Sequence, residues 1–140
     1  MINFLNKILA KQKINNKNKT SFLEIKKNTN IEKIFNSISN FSEKNEIRYV
    51  GGCIRKILNK ENVDDIDLAT NIKPDEVIKI LKKNDISFYE SGIDHGTVTA
   101  KINNKNFEIT SLRKDLFSDG RHAKVEFSNN WLEDASRRDF

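Results

Sequence analysis

Residues 96–102 (GTVTAKI) and 107–112 (FEITSL) each alternate apolar and polar side chains, and only Asn103-Asn104-Lys105-Asn106 lies between them. Alternation over this length sends successive side chains to opposite faces of a strand. A short, Asn-rich connection turns the second strand back along the first. The two segments therefore predict an antiparallel hairpin with one apolar face, around which the rest of the chain must be arranged.

The remaining elements are read from their own periodicities. Ile31, Ile34, Phe35, Ile38 and Phe41 recur on one helical face, with Asn30 placed to cap it. Residues 47–50 read as a strand that ends in Gly51-Gly52, and residues 53–59 as a helix with Ile54, Ile57 and Leu58 on one side. A second strand is expected at 66–69, led in by Asp64-Asp65. Pro74 suits the first turn of a helix whose stripe is Val77, Ile78 and Leu81, and Asn84-Asp85 ends it. Residues 86–89 read as a short strand, 117–124 as a polar loop, 125–127 as extended chain and 131–140 as the start of a helix. Helix, strand, helix, strand, helix and hairpin in that order predict an α+β (mixed α/β) fold with helices packed on one face of a sheet.

The chain has 140 residues, which suits one domain. Residues 1–30 hold seven Lys and one acid, a net of +6, whereas residues 31–140 carry a net of −1. The basic balance is thus confined to a lead-in that reads either as a solvated, frayed tail or as an arm for RNA phosphates or an anionic surface. No apolar run approaches membrane-spanning length, so no membrane partner is expected. Asn6 and Lys7 interrupt the only early apolar stretch, which argues against a secretory signal and for a cytoplasmic protein. Cys53 is the single cysteine and cannot form an internal disulfide; with only His95 and His122 beside it, a structural zinc site is not expected.

Four constellations carry chemistry. Gly51-Gly52-x-x-Arg55 joins a strand to a helix, where a Gly pair lets backbone amides approach an anion and Arg55, one turn on, reaches the same group. Asp65-Ile66-Asp67 on a strand would put two carboxylates on one face, roughly 6–7 Å apart at Cα, while Ile66 turns to the core. Two like charges so placed call for a cation, and hard Mg²⁺ suits oxygen ligands that share it with a phosphate. Glu108 adds a third carboxylate if its strand neighbours that of Asp67, and is otherwise an outward-facing strand residue. Arg137-Arg138-Asp139 combines paired guanidiniums suited to phosphate with an acceptor suited to sugar hydroxyls. His95, His122 and Cys53 fit packing or loop roles.

The order of these segments is more specific than any one of them. VGGCIR (50–55), DIDLAT (65–70), PDEV (74–77), GTVT (96–99), FEITSLR (107–113), DGR (119–121) and EDASRRDF (133–140) follow one another. The series resembles the head domain of the bacterial tRNA nucleotidyltransferase (CCA-adding)/poly(A) polymerase family, of the polymerase-β-like superfamily, over about residues 47–140. The resemblance implies a small, mostly antiparallel sheet and a template-independent transfer of nucleotides from ATP or CTP to an RNA 3′-OH, either tRNA CCA addition or polyadenylation. It implies that Asp65 and Asp67 are catalytic Mg²⁺ ligands, that Gly51, Gly52, Arg55 and Arg138 serve the incoming triphosphate, and that Asp139 serves its ribose. The family usually reads GGxxRD, and here Lys56 stands in place of that Asp.

The expected organisation is a basic lead-in at 1–30 and a nucleotidyltransferase head at 31–140, truncated at its C-terminal end relative to a family that continues into neck and body domains. The partners this implies are ATP or CTP, a tRNA 3′ end and a separate neck-and-body chain. The alternative is an inactive or split-enzyme fragment that keeps only nucleotide and metal binding.

Overall fold

The computed structural model describes residues 29–59, 61, 66–118 and 123–138. The basic lead-in before Thr29, Asp65, residues 119–122 with His122, Asp139 and Phe140 lie outside the described residues. In chain order the elements are α1 (Thr29–Phe41), β1 (Ile47–Val50), α2 (Gly52–Leu58), β2 (Asp67–Thr70), α3 (Pro74–Lys83), β3 (Ser87–Gly92), a 3₁₀ turn (Ile93–His95), β4 (Thr97–Ile102), β5 (Lys105–Ser111), β6 (Arg113–Ser118), β7 (Ala123–Phe127) and α4 (Trp131–Ser136).

Five strands form one sheet in the order β1-β2-β5-β4-β3, and β6 and β7 form a separate two-stranded ribbon. The β4–β5 hairpin is as expected, with Ile102 opposite Lys105. Its loop is tighter than the four-residue reading: Asn103 and Asn104 alone make it, at φ 51° and 63°. Two positive φ values suit the right-handed twist of the flanking strands, and Asn tolerates them. β1–β2, β3–β4 and β4–β5 are antiparallel, whereas β2–β5 is parallel. The sheet is thus mostly antiparallel, with its one parallel seam beside the strand that holds Asp67.

Register gives the sheet two unlike faces. Ile47, Tyr49, Leu68, Val98, Ala100, Phe107 and Ile109 turn to one side and join the core with Ile31, Ile34, Phe35 and Ile38 of α1, Cys53, Ile54 and Ile57 of α2, and Val77, Ile80 and Leu81 of α3. Helices α1–α3 therefore cover this face, as the sequence predicts. Within the core Phe35 and Tyr49 stack at 5.0 Å between centroids. Burial pushes the Tyr49 hydroxyl well above its ordinary pKa, with a smaller contribution from Cys53, so it stays neutral.

Several local expectations change in detail. Phe41 lies at the edge of the α1 stripe and is 39% exposed; the ammonium of Lys83 lies 5.3 Å from its ring centroid. Asn30 is inside α1 and accepts a bond from Asn103 at 2.8 Å, tying the helix to the hairpin turn. On α3 it is Ile80, with Val77 and Leu81, that is fully buried, while Ile78 is half-buried. Gly96 belongs to the turn before β4 rather than to the strand, at φ 81°. Within the expected polar loop at 117–124, residues 117–118 belong to β6 and 123–124 to β7.

Leu68 is fully buried between the parallel seam and the helices. Leu68→Ala should lower unfolding stability by about 2–5 kcal/mol through lost transfer energy and a residual cavity. Denaturant titration should show this as a lower midpoint with an unchanged slope; a loss below about 1 kcal/mol would mean that this part of the core is not packed as described.

Candidate functional site

The other face of the sheet carries Arg48 and Val50 of β1, Asp67 and Ala69 of β2, Glu108 and Thr110 of β5, and Thr97 and Thr99 of β4, by alternation and register. Asp67 stands directly opposite Glu108 across the parallel seam, and Glu108 opposite Thr99 across the next. Neighbouring strands lie about 4.8 Å apart, so two carboxylates sit side by side on the face away from α1–α3. Glu108 is exposed and Asp67 half-buried. The condition set by sequence for Glu108, a strand next to that of Asp67, is met.

β1 leads directly to this pair. Gly51 caps α2 at φ 71° and ψ −143°, a conformation essentially confined to glycine. A side chain there would also crowd Asp67, since a Cβ would stand 3.2 Å from its Oδ2. The carboxylate of Asp67 is therefore held against the Gly51 turn. At Gly52 a Cβ would meet only the guanidinium of Arg55, at 3.9 Å. Gly51 is demanded by backbone and space, Gly52 by neither; Arg55 is exposed and brings its guanidinium close to Gly52.

Helix α4 closes one end of the face. Asn130 caps it, accepting from the amides of Leu132 and Glu133 at 3.0 and 3.1 Å. Trp131 packs on Val50, Ala69 and Leu112, and the Arg48 guanidinium lies 3.9 Å from its ring centroid. Trp131 faces the sheet, while Leu132 beside it is 80% exposed. One turn beyond Trp131, Asp134 is buried and accepts from the Arg113 amide at 3.1 Å, Arg137 Nη2 at 3.0 Å and Arg138 Nε at 2.7 Å. Burial alone would push its carboxyl up. The Arg113 amide, the hydrogen bond from Arg138 and the charges of both arginines outweigh that and hold it below the usual carboxylate value.

Asp67, Glu108, Gly51, Gly52 and Arg55 are thus gathered around the β1–β2–β5 end of the open face, and Arg138 follows the helix that docks through Trp131 on Val50 and Ala69. Asp65 and Asp139 fall outside the described residues. Among the described residues no group of three or more His, Cys, Asp or Glu is assembled for a metal ion. Cys53 is structural: it is buried, donates to the Val50 carbonyl at 3.2 Å, and burial raises its thiol pKa. The sequence reading missed Arg48 and Asp134. Arg48 was legible from alternation with Ile47 and Tyr49, and Asp134 from its spacing three and four residues before Arg137 and Arg138. The carboxylate pair and its glycine turn form an all-oxygen donor set beside an anion-sized approach to backbone, which fits a hard divalent cation shared with a phosphate.

The Poly A polymerase head domain model matches residues 47–140. CCA tRNA nucleotidyltransferase 1, mitochondrial, of Homo sapiens is 44% identical over 98 residues, which is 69% of this chain and 23% of that protein. The CCA-adding enzyme of Oceanobacillus iheyensis is 39% identical over 94 residues, 66% of this chain and 22% of that protein. Among solved structures, the Bacillus stearothermophilus CCA-adding enzyme in complex with CTP superposes with a TM-score of 0.61 at 29% identity, covering 76% of this chain and 24% of that one. The chain therefore spans about a quarter of the length of these proteins. Among the described residues no helix is long and apolar enough to cross a membrane.

Two outcomes follow from this geometry. Gly51→Ala should destabilise the fold by about 1–3 kcal/mol, the cost of forcing a side chain into this backbone region, and thermal melting will measure it. A Gly51→Ala protein with unchanged melting would show that the turn is not held as described. Asp134 has a depressed pKa when folded, so its contribution is complete above its ordinary value of 3.8 and decays as pH falls through the folded value. The stability gap between wild type and Asp134→Asn should be widest near neutral pH and shrink below pH 3.8. A gap independent of pH would contradict the ion pairs.

Proposed function

Because the chain belongs to the Poly A polymerase head-domain family, we propose that its open sheet face binds a nucleoside triphosphate with Mg²⁺ and serves the transfer of nucleotides to an RNA 3′-OH. The observation that carries this reading is the Asp67–Glu108 pair beside the Gly51 turn. The acceptor we propose is a tRNA 3′ end, since the similar proteins are named CCA tRNA nucleotidyltransferase or CCA-adding enzyme. ATP and CTP are the matching donors.

In this reading Asp65 and Asp67 hold the metal, with Glu108 as a further oxygen donor. Mg²⁺, when bound, favours ionisation of the 3′-hydroxyl and neutralises charge on the triphosphate and its leaving pyrophosphate. The protein supplies position and charge. Asp67 is fixed on a central strand, so its carboxylate keeps its direction without loop closure. Gly51-Gly52 admits the phosphates to the backbone. Arg55 from α2 and Arg138 from beyond α4 approach from different elements, a fork suited to phosphate oxygens. Asp139 would receive the ribose hydroxyl. Base choice and grip on the tRNA body fall to neck and body domains such as the longer relatives have room for, in the same or a separate chain.

The test is binding of Mg·ATP and of adenosine by the 140-residue chain, followed by incorporation of labelled CTP and ATP into tRNA lacking its CCA end, with and without a separately produced neck-and-body chain. Asp67→Ala should abolish the Mg²⁺-dependent part of ATP affinity and any incorporation while leaving the melting temperature near that of wild type. Arg55→Ala should weaken ATP about ten-fold, as for loss of one charge-assisted contact, and adenosine little. ATP affinity that ignores both Mg²⁺ and Asp67 would overturn the reading. Mg²⁺-dependent binding without incorporation in either arrangement would favour a fragment that only binds.

A further inference from the structure

Asp134 is only 2% exposed and bridges the start of β6 and the residues that follow α4. Its Oδ1 accepts from the amide of Arg113, the first residue of β6, and from Arg137; its Oδ2 accepts from Arg138 Nε at 2.7 Å. Arg113 in turn donates through its guanidinium to the carbonyl of His95, in the turn before β4. Trp131 and Asp134, at i and i+3, share one face of α4; Trp131 packs on Val50 and Ala69, and Arg138 follows two residues past the end of the helix. Arg138 itself is largely buried, its side chain 17% exposed, and its Nη2 has no hydrogen-bond partner among the described residues.

We propose that Asp134 is a positioning residue for the triphosphate. By taking Nε of Arg138 and tying the same carboxylate to the start of β6, it fixes one edge of that guanidinium and leaves the Nη edge directed for an anion. This rests on the nucleotide-binding reading above and adds a residue to it. Arg has five donors in a rigid plane, so anchoring Nε sets the direction of the other four. A guanidinium free to turn on its long stem must be ordered when the ligand arrives; one already held is not. The groups facing the Asp134 carboxylate are the Arg113 amide, Arg137 and Arg138. Lys114 is engaged instead with Glu133, at 3.4 Å.

The experiment compares Mg·ATP and adenosine affinity in wild type, Asp134→Asn, Arg138→Ala and the double variant, all as the 140-residue chain. Asp134→Asn should lose about ten-fold in ATP affinity, the loss expected of a misdirected charge-assisted contact, and little in adenosine affinity. In the Arg138→Ala background the same change should cost nothing further in the ratio of ATP to adenosine affinity, because the two residues act as one unit. Additive losses, or equal losses for both ligands, would overturn the role. Should Asp134→Asn fail to fold, the wild-type protein still decides: the Arg138 Nε–H should be protected from solvent exchange and should shift in its NMR resonance on addition of ATP but not adenosine. An Nε–H that exchanges like that of an exposed arginine would overturn the proposal. A wild-type chain with no preference for ATP over adenosine would instead overturn the nucleotide reading, and this role with it.

Discussion

The parallel pairing of β2 with β5 is the constraint on which the rest of the structure depends. It aligns Asp67 with Glu108 on one face and Leu68 with Ile109 on the other. Side chains alternate along a strand, so a slip of one residue in either strand would carry its carboxylate under the helices and expose a side chain that is now fully buried, Leu68 or Ile109. Each such side chain is worth about 1.5–3 kcal/mol when buried, and an uncompensated buried carboxylate costs more. The core thus fixes the register, and the register fixes the site. Parallel strands cannot be joined by a tight turn. The chain must leave β2, cross the buried face as α3 and return through β3 and β4, which explains why the site residues are far apart in sequence.

Much of this was legible before the structure. The β4–β5 hairpin followed from alternation and an Asn turn, and α1 and α3 from their stripes, because these signals are local. The seam between β2 and β5 was not, because nothing in either strand names its partner. Glu108 could be placed only conditionally for that reason. Of the ribbon of β6 and β7 only residues 125–127 were read as extended, while 117–124 were read as loop: RKDLFS carries no clear alternation, and its pairing is satisfied within the ribbon rather than by the main sheet. Asp134 was overlooked because Glu133 and Asp134 look like the ordinary acids of a first helical turn. Only burial distinguishes them, Asp134 being closed off and Glu133 half-buried.

The glycine pair shows how a motif divides when its geometry is known. From sequence both glycines served the same purpose. In the fold Gly51 answers to two independent demands, a left-handed backbone and a carboxylate close against it, whereas Gly52 has ordinary space around it. What remains for Gly52 is the open approach to its amide, with the Arg55 guanidinium nearby. The helix that follows has no side-chain cap, and the acid usual at position 56 is a lysine here. The turn is therefore held by backbone conformation and by the Cys53 thiol under it rather than by capping.

The arginines at the edge of the open face show a balance between burial and function. Arg48 stacks on Trp131 and pairs with Glu46 at 2.7 Å, so its charge is spent on holding β1 and α4 together. Arg137 and Arg138 are treated differently: two largely buried guanidiniums share one carboxylate. With no acid, two desolvated cations would face each other at a cost of several kcal/mol. With two acids the cluster would be neutral and would hold no attraction for an anion. One carboxylate between two guanidiniums lowers the cost of burial and leaves one unit of positive charge in a place of low dielectric, where it acts most strongly. The same carboxylate reaches the β6 amide, so that charge is also fixed in position relative to the sheet. A helix of six residues has little stability of its own, and this anchor, with Trp131 and the Asn130 cap, is what makes α4 a rigid part of the face rather than a frayed end.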